Sequence, residues 1–242
     1  MLHSTSTLGP GPGAAQRSQS SGTLVSAWLT DLPYRWQPLD DHGRIRHVAK
    51  DETLFLEGQP ADTVFAVVDG RIRLTSFGFD GHERHLMIIG ANGLVGDCAM
   101  VSSPNYVVSA VAAADSVLRA IPMPTLVAAL AHDALMLRQH HELSGMRFRI
   151  MLRHLAMQGS NSGRRRVCLH LLDLVNSYGI PHPAGSAISI TFTQQEMGSI
   201  CGLSRVSVSN VFTALERDDV ITRSGRLVVV RDTLRLEQLS RS

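Results

Sequence analysis

Thiols are scarce in this chain: Cys98, Cys168 and Cys201 are its three cysteines, scattered over 242 residues. No pair has metal-clamp spacing, and an odd, dispersed set builds no disulfide framework. A reducing cytoplasm suits that usage. Long apolar runs are also missing, since nothing approaches the roughly 18 to 20 residues of a membrane span. The N-terminus lacks the apolar core of a secretory leader. No Gly-rich phosphate loop, nucleophile elbow or recognisably spaced carboxylate pair is present, so an enzyme is not expected and no catalytic residue is assigned. A strong charge of either sign is absent too, with a formal net charge of +2.

The small charge is unevenly placed. Residues 1–159 hold 13 Lys and Arg against 14 Asp and Glu, whereas residues 160–242 hold 10 against 7. The basic excess thus lies in the C-terminal third, as in a polyanion-binding half. Residues 1–22, rich in Gly, Pro, Ser and Gln, predict a disordered tail. Leu24 to Leu32 predicts a short helix stopped by Pro33.

From about 44 to 121 the pattern is that of strands. Asp69-Gly70, Asp80-Gly81 and Asn92-Gly93 follow one another at 11 and 12 residues, each between β-prone runs. That spacing predicts antiparallel hairpins closed into a barrel or sandwich. Ile72 and Leu74 are expected to face one side, with Arg71 and Arg73 on the other. Past Pro124 the period changes. Met136, Leu143, Ile150 and Met157 recur every seven residues, with Met146 between them. This stripe predicts a long helix that pairs with a second copy of itself, or one docked on its own barrel. A hinge at Gln158–Gly163 leads to a further helix, Arg164 to Tyr178.

Thr193 to Glu216 carries the most specific pattern. Thr193-Gln194-Gln195-Glu196 is a capping box. Gly202 supplies a sharp turn, and Ser204 caps a second helix whose Val208, Val211 and Leu215 are expected to face inward. Two helices joined by a short Gly-containing turn make a helix-turn-helix. Its outward residues include Arg205, Val206, Ser207, Ser209, Asn210 and Thr213, a set without an acid that suits the major groove. Downstream, Arg223-Ser224-Gly225-Arg226 predicts a Ser-Gly hairpin turn flanked by arginines that meet phosphates.

With Glu57-Gly58-Gln59-Pro60-Ala61-Asp62, Val68-Asp69-Gly70 and Gly96-Asp97, these motifs make the chain resemble the cyclic-AMP receptor protein and fumarate–nitrate regulator (Crp/Fnr) superfamily over about residues 44–235. The resemblance implies an α+β fold: a cyclic-nucleotide-binding-like β-roll sensor domain (23–133), a dimerisation helix (134–158) and a winged helix-turn-helix domain (159–242). It further implies a homodimeric transcription regulator in the cytoplasm, with an operator in double-stranded DNA and RNA polymerase as partners, and an effector at Gly96, Asp97, Cys98, Val107 and Val108. By the same resemblance, Arg205 reads guanine.

The chain departs from the family pattern in the cassette. Asp97 matches the acid that holds the ribose. Val107 and Val108 stand where an Arg-Ser pair would hold the cyclic phosphate, and Met151 and Leu152 where a polar pair would meet the base. A buried phosphodiester without a paired cation is costly, so cyclic AMP is not expected to bind in the family's way. Too few thiols remain for an iron–sulfur cluster. Haem stays open, and Cys98 is read either as a sensor thiol or axial ligand or as a small buried side chain; the cofactor is unknown. His82 and His85 lack further ligands nearby, so no metal site is assigned. His140 and His141 are read as surface groups. The competing class is a regulatory subunit that binds a metabolite or nucleotide without touching DNA.

Overall fold

The computed structural model describes residues 26–77, 83–102, 104–157 and 162–241, with the side chains at 101, 102 and 157 left aside. The tail at 1–22, the Asp80-Gly81 turn, His82, the side chain of Met157 and the hinge residues 158–161 lie outside the described residues.

Two sheets make the N-terminal roll. One runs β1 (Trp28–Leu29), β6 (Glu83–Ile89), β5 (Ile72–Phe77), β8 (Ser109–Ala112) and β3 (Thr53–Phe55). The other runs β2 (Arg44–Val48), β9 (Ser116–Pro122), β4 (Thr63–Asp69) and β7 (Leu94–Val95). A short helix, α1 (Ala99–Ser102), follows β7, and a single 3-10 turn covers Gln37–His42. Ile72 and Leu74 are buried in β5 while Arg73 is only half-buried, as the alternation predicts.

The turn signals act in two ways. β5 and β6 are antiparallel neighbours, paired from Ile72 opposite Ile89 to Phe77 opposite Glu83 with a register shift between Leu74 and Thr75. Asp69-Gly70 and Asn92-Gly93 close no hairpin, because β4 and β7 lie in one sheet and β5 and β6 in the other. They carry the chain round the corners of the roll. Leu24 to Leu32 is likewise no helix over its described part. Trp28 and Leu29 form β1, parallel to β6 at Ile88 and Ile89. An apolar segment this short has no period of its own, and the open edge of β6 decides its conformation.

Two helices follow the roll, α2 (Met123–His132) and α3 (Ala134–Met157). Met136, Leu143, Met146 and Ile150 are buried within the single chain, between 0% and 6% exposed. Gln139 holds the helix to the loop after β1: its Oε1 accepts from Arg35 N at 2.8 Å, and its Nε2 donates to Arg35 O at 3.2 Å. Over its described residues the seven-residue stripe therefore docks on its own chain, the second of the two expectations, and these side chains are already covered. An interval of seven keeps side chains on one face, but does not say which surface covers them. The opposite face carries Leu137, Phe148, Leu152 and Leu155, all exposed.

The C-terminal part comprises α4 (Gly163–Tyr178), β10 (Gly179–His182), β11 (Gly185–Ile188), α5 (Gln194–Cys201), α6 (Arg205–Arg217), β12 (Ile221–Ser224), β13 (Leu227–Val230) and α7 (Thr233–Arg241). Its sheet runs β10-β11-β13-β12. β1 fastens this part to the roll. Trp28, fully buried, has ring neighbours in His170 and Phe192, at 6.2 and 5.7 Å between centroids. Tyr178 Oη donates to Trp28 O at 2.6 Å. Cys168 and Cys201 are core residues here.

Candidate nucleic-acid interface and effector cassette

The helix-turn-helix is built from its caps outward. Thr193 Oγ1 accepts from Glu196 N at 3.0 Å, and Thr193 N donates to Glu196 Oε2 at 2.6 Å, which closes the capping box of α5. The other oxygen of Glu196 reaches outside the domain. Its Oε1 accepts from Nε of Arg71, just before β5, at 2.8 Å. Gly202 ends α5 at φ +63°, a left-handed conformation that side chains with a Cβ disfavour. Ser204 Oγ accepts from Ser207 N at 3.1 Å and so caps α6.

From that cap the faces of α6 separate. Val208, Phe212 and Leu215 are buried; Phe212 takes the place expected of Val211, which is only partly covered. Arg205, Val206, Asn210 and Thr213 are exposed, while Ser207 and Ser209 are half-buried beside them. Arg205 is the first residue of α6, so its guanidinium leaves from the end nearest the turn.

The wing is the β12–β13 hairpin. Ser224 pairs with Leu227, so its two turn residues are Gly225 and Arg226 rather than Ser-Gly, with Gly225 at φ +59°. Arg226 stands exposed at the tip. Arg223 is turned inward: its Nε donates to Glu216 Oε1 at 2.8 Å, and its guanidinium carbon lies 5.4 Å from the centre of the Phe212 ring. It braces the wing against α6, a use that its place beside a hairpin turn did not reveal.

At the cassette, Asp97 is 1% exposed and its carboxylate is already occupied. Arg147 Nη1 donates to both oxygens, at 2.9 and 2.7 Å, and His140 Nε2 lies 3.0 Å from Oδ2. Arg147 Nη2 also donates to Leu94 O. Burial pushes the Asp97 pKa up, but Arg147 and His140 together pull it well below the usual carboxylate range. His140 is thus no surface group, unlike the exposed His141. Arg147 was legible in principle, since it lies four residues after Leu143 and three before Ile150, on the buried stripe. Its charge hid it.

Around the ion pair the space is nearly closed. Phe55 stacks on Tyr106 at 3.7 Å, and the remaining cavity, bordered by Cys98, Val107 and Val108, measures about 20 Å³. Small-molecule pockets usually hold roughly 300–1,000 Å³. Val107 is exposed and Val108 packs partly on the core. Cys98 is exposed, not the small buried side chain of one expected reading; its Sγ lies 3.6 Å from Arg147 Nη1, and partial desolvation together with Asp97 pushes its thiol pKa up against the pull of Arg147. Such a thiol is a weak nucleophile at neutral pH. Met151 and Leu152 are exposed on α3 and border a different cavity. Among the described residues, no group of three His, Cys, Asp or Glu has the arrangement of a metal site, and no helix is long and apolar enough to cross a membrane.

Comparison with known proteins matches this architecture piece by piece. The cyclic nucleotide-binding domain family matches residues 45–133, and the Crp-like helix-turn-helix domain family matches residues 165–239. The anaerobic regulatory protein of Bacillus subtilis is 26% identical over 225 residues, covering 90% of this chain and 91% of that protein. A CRP-like cAMP-activated global transcriptional regulator of Mycobacterium tuberculosis is 24% identical, covering 88% and 92%. Among solved structures, a CooA mutant from Carboxydothermus hydrogenoformans superposes with a TM-score of 0.74 at 16% identity, over 89% of this chain and 99% of that one. FixK2 from Bradyrhizobium japonicum superposes at 0.67 and 23% identity, over 81% and 96%. With both of its modules matched in order, and relatives aligned over about nine-tenths of their length, the chain belongs to the Crp/Fnr superfamily of transcription regulators.

Proposed function

We propose that this protein is a sequence-specific DNA-binding regulator that acts as a homodimer on an operator and works with RNA polymerase in the cytoplasm. The outward face of α6 carries the reading. It offers a guanidinium, an amide and hydroxyls, without an acid, from a helix capped at both its own start and that of its partner helix. Arg205 donates to guanine O6 and N7, Val206 meets a thymine methyl, and Ser209, Asn210 and Thr213 line the same groove. Arg226 at the wing tip meets phosphate, which positions the domain.

Dimerisation is assigned to the exposed face of α3. Leu137, Phe148 and Leu155 lie 11 and seven residues apart, with Leu152 beside them, a seam suited to a second copy of the helix. A twofold dimer would place two α6 helices on half-sites about 34–36 Å apart. Catalysis forms no part of this reading, in keeping with a family of transcription regulators. Nor does a cyclic nucleotide held at Asp97, because Arg147 already occupies that carboxylate.

The test is fluorescence anisotropy with labelled promoter fragments from the source genome against an excess of unrelated duplex. Retained binding to particular fragments is the expected result. Absence of binding at low salt would instead favour the non-DNA-binding regulatory subunit.

A further inference from the structure

One side chain of the wing grips the reading helix at two points. Arg223 lies in β12 opposite Val228, one pair before the last pair of the hairpin, Ser224 with Leu227. Its Nε donates to Glu216 Oε1 at 2.8 Å and its Nη2 donates to Glu216 Oε2, a bidentate fork. Its guanidinium carbon stands 5.4 Å from the centre of the Phe212 ring, within the roughly 6 Å of a cation–π contact. Phe212 and Glu216 are four residues apart, so the grip spans one turn at the end of α6 away from Arg205. We propose that Arg223 is a positioning residue for operator recognition: without touching DNA, it sets the wing on α6 so that Arg226 meets phosphate in register with Arg205 at the bases. The proposal deepens the regulator reading above and rests on it for the DNA response.

Three observations support the assignment. The first is where the sheet stops supporting the wing. β11 pairs with β13 only at Val229 and Val230, so from the pair of Arg223 with Val228 outwards the hairpin has no third strand. A two-stranded ribbon is marginal by itself, and the grip falls at its root. The second is charge. Glu216 is the one acid in α6, and hydrogen bonding from Arg223 holds its carboxyl below the usual range. Unpaired, that carboxylate would repel the phosphates that approach the helix; paired, it does not. The third is the division of labour among the arginines. Arg205 and Arg226 are exposed with no side-chain partner among the described residues, while Arg223 between them is already engaged.

A positioning role has a signature of its own. Phosphate contacts fix the register of a reading helix but carry no sequence information. A loose wing still finds a phosphate on any duplex, because a non-specific complex accepts many placements of wing against helix. An operator complex accepts one. Loss of the grip therefore falls on specific binding, whereas loss of a phosphate contact falls on every duplex and on the salt dependence.

The experiment uses the full-length protein, with anisotropy on a bound promoter fragment and on unrelated duplex at several salt concentrations, and amide exchange without DNA. The decisive variant combines Arg223→Gln with Glu216→Gln, which removes the grip at unchanged net charge. We expect its affinity for the promoter fragment to fall about fivefold and that for unrelated duplex to change less than about twofold, at an unaltered salt slope. Amides of 222–228 should exchange about fivefold faster or more, with those of α4 unchanged. Arg223→Gln alone tests the other use of the residue. An equal loss on both duplexes, with a slope smaller by about 1 for each chain, makes Arg223 a phosphate contact and overturns the proposal. Unchanged discrimination, or unchanged wing exchange, in the double variant overturns it as well. If the double variant melted far below the wild type, Arg223→Lys would replace it under the same expectations, since it keeps the charge beside Phe212 without the fork. If the wild-type protein bound neither duplex, the regulator reading would fail, while exchange would still decide whether Arg223 holds the wing.

Discussion

At the cassette, Asp97 and Arg147 are 1% and 7% exposed and bonded to each other. At the start of α6, Arg205 and Asn210 are exposed, and neither side chain has a partner among the described residues. Both regions combine a guanidinium with other polar groups, and the sequence offers both as binding sites, the reading unit on the more specific pattern. One set is consumed by the fold, the other is left for a partner. A polar group therefore identifies a ligand site only once its own chain has been shown not to satisfy it.

The sharpest break of this contrast lies along α3, where inward and outward apolar residues alternate. Ile150→Glu buries a carboxylate in the core and should unfold the chain, costing more than about 4 kcal/mol by thermal or urea denaturation. Phe148→Glu, on the exposed face, should leave each protomer folded but yield monomers in sedimentation, with operator binding greatly weakened. A folded monomer from Ile150→Glu, or an unchanged dimer from Phe148→Glu, would reverse the assignment of the two faces.

Next in size is the ion pair. Arg147→Ala strands Asp97 as an uncompensated buried charge and should cost about 3–5 kcal/mol of stability. The pH dependence follows from the depressed Asp97 pKa. Its contribution is complete above the ordinary carboxylate value of about 4, and is lost as pH falls towards the lower folded value. Wild-type stability should therefore decline on acidification below about pH 4, and melting of Arg147→Ala across the same range should lack that slope.

The outward set behaves oppositely. Arg205→Ala should leave melting unchanged but lose about 1–3 kcal/mol of operator discrimination, with preference relaxed at one base pair per half-site. Titration against operator variants checks this, and an equal loss on every sequence would make Arg205 a phosphate contact. The smallest effect is expected at the wing. Arg226→Ala should weaken specific and non-specific duplexes alike and reduce the salt slope by about 1 for each chain bound.

The reading unit was legible because its signals are local. Thr193, Gly202, Ser204 and the capping oxygen of Glu196 each act within a few residues of their own position, so their spacing encodes these partners. The turns were half legible: glycine after Asp or Asn marked where the chain bends, but pairing between distant strands decided whether a hairpin or a corner resulted. The cassette ion pair joins residues 50 apart, and nothing in either neighbourhood announces the other. The same holds for β1, whose conformation belongs to the edge of β6. The side of α3 that the barrel covers was open for a further reason, because two apolar faces share one helix.

Glu196 gives one oxygen to the cap of its own helix and the other to Arg71, 125 residues earlier in the chain. The first helix of the DNA-reading unit is thus finished by a side chain from the sensor. If the roll were cut away, a carboxylate only 6% exposed on its side chain would lose its counterion while still bound to the cap. The excised unit would start its folding from a deficit that the intact chain never meets. Modules that look separable in sequence are in this respect one cooperative body, and a displacement of Arg71 by whatever moves β5 is felt as a change in the free energy of α5 itself.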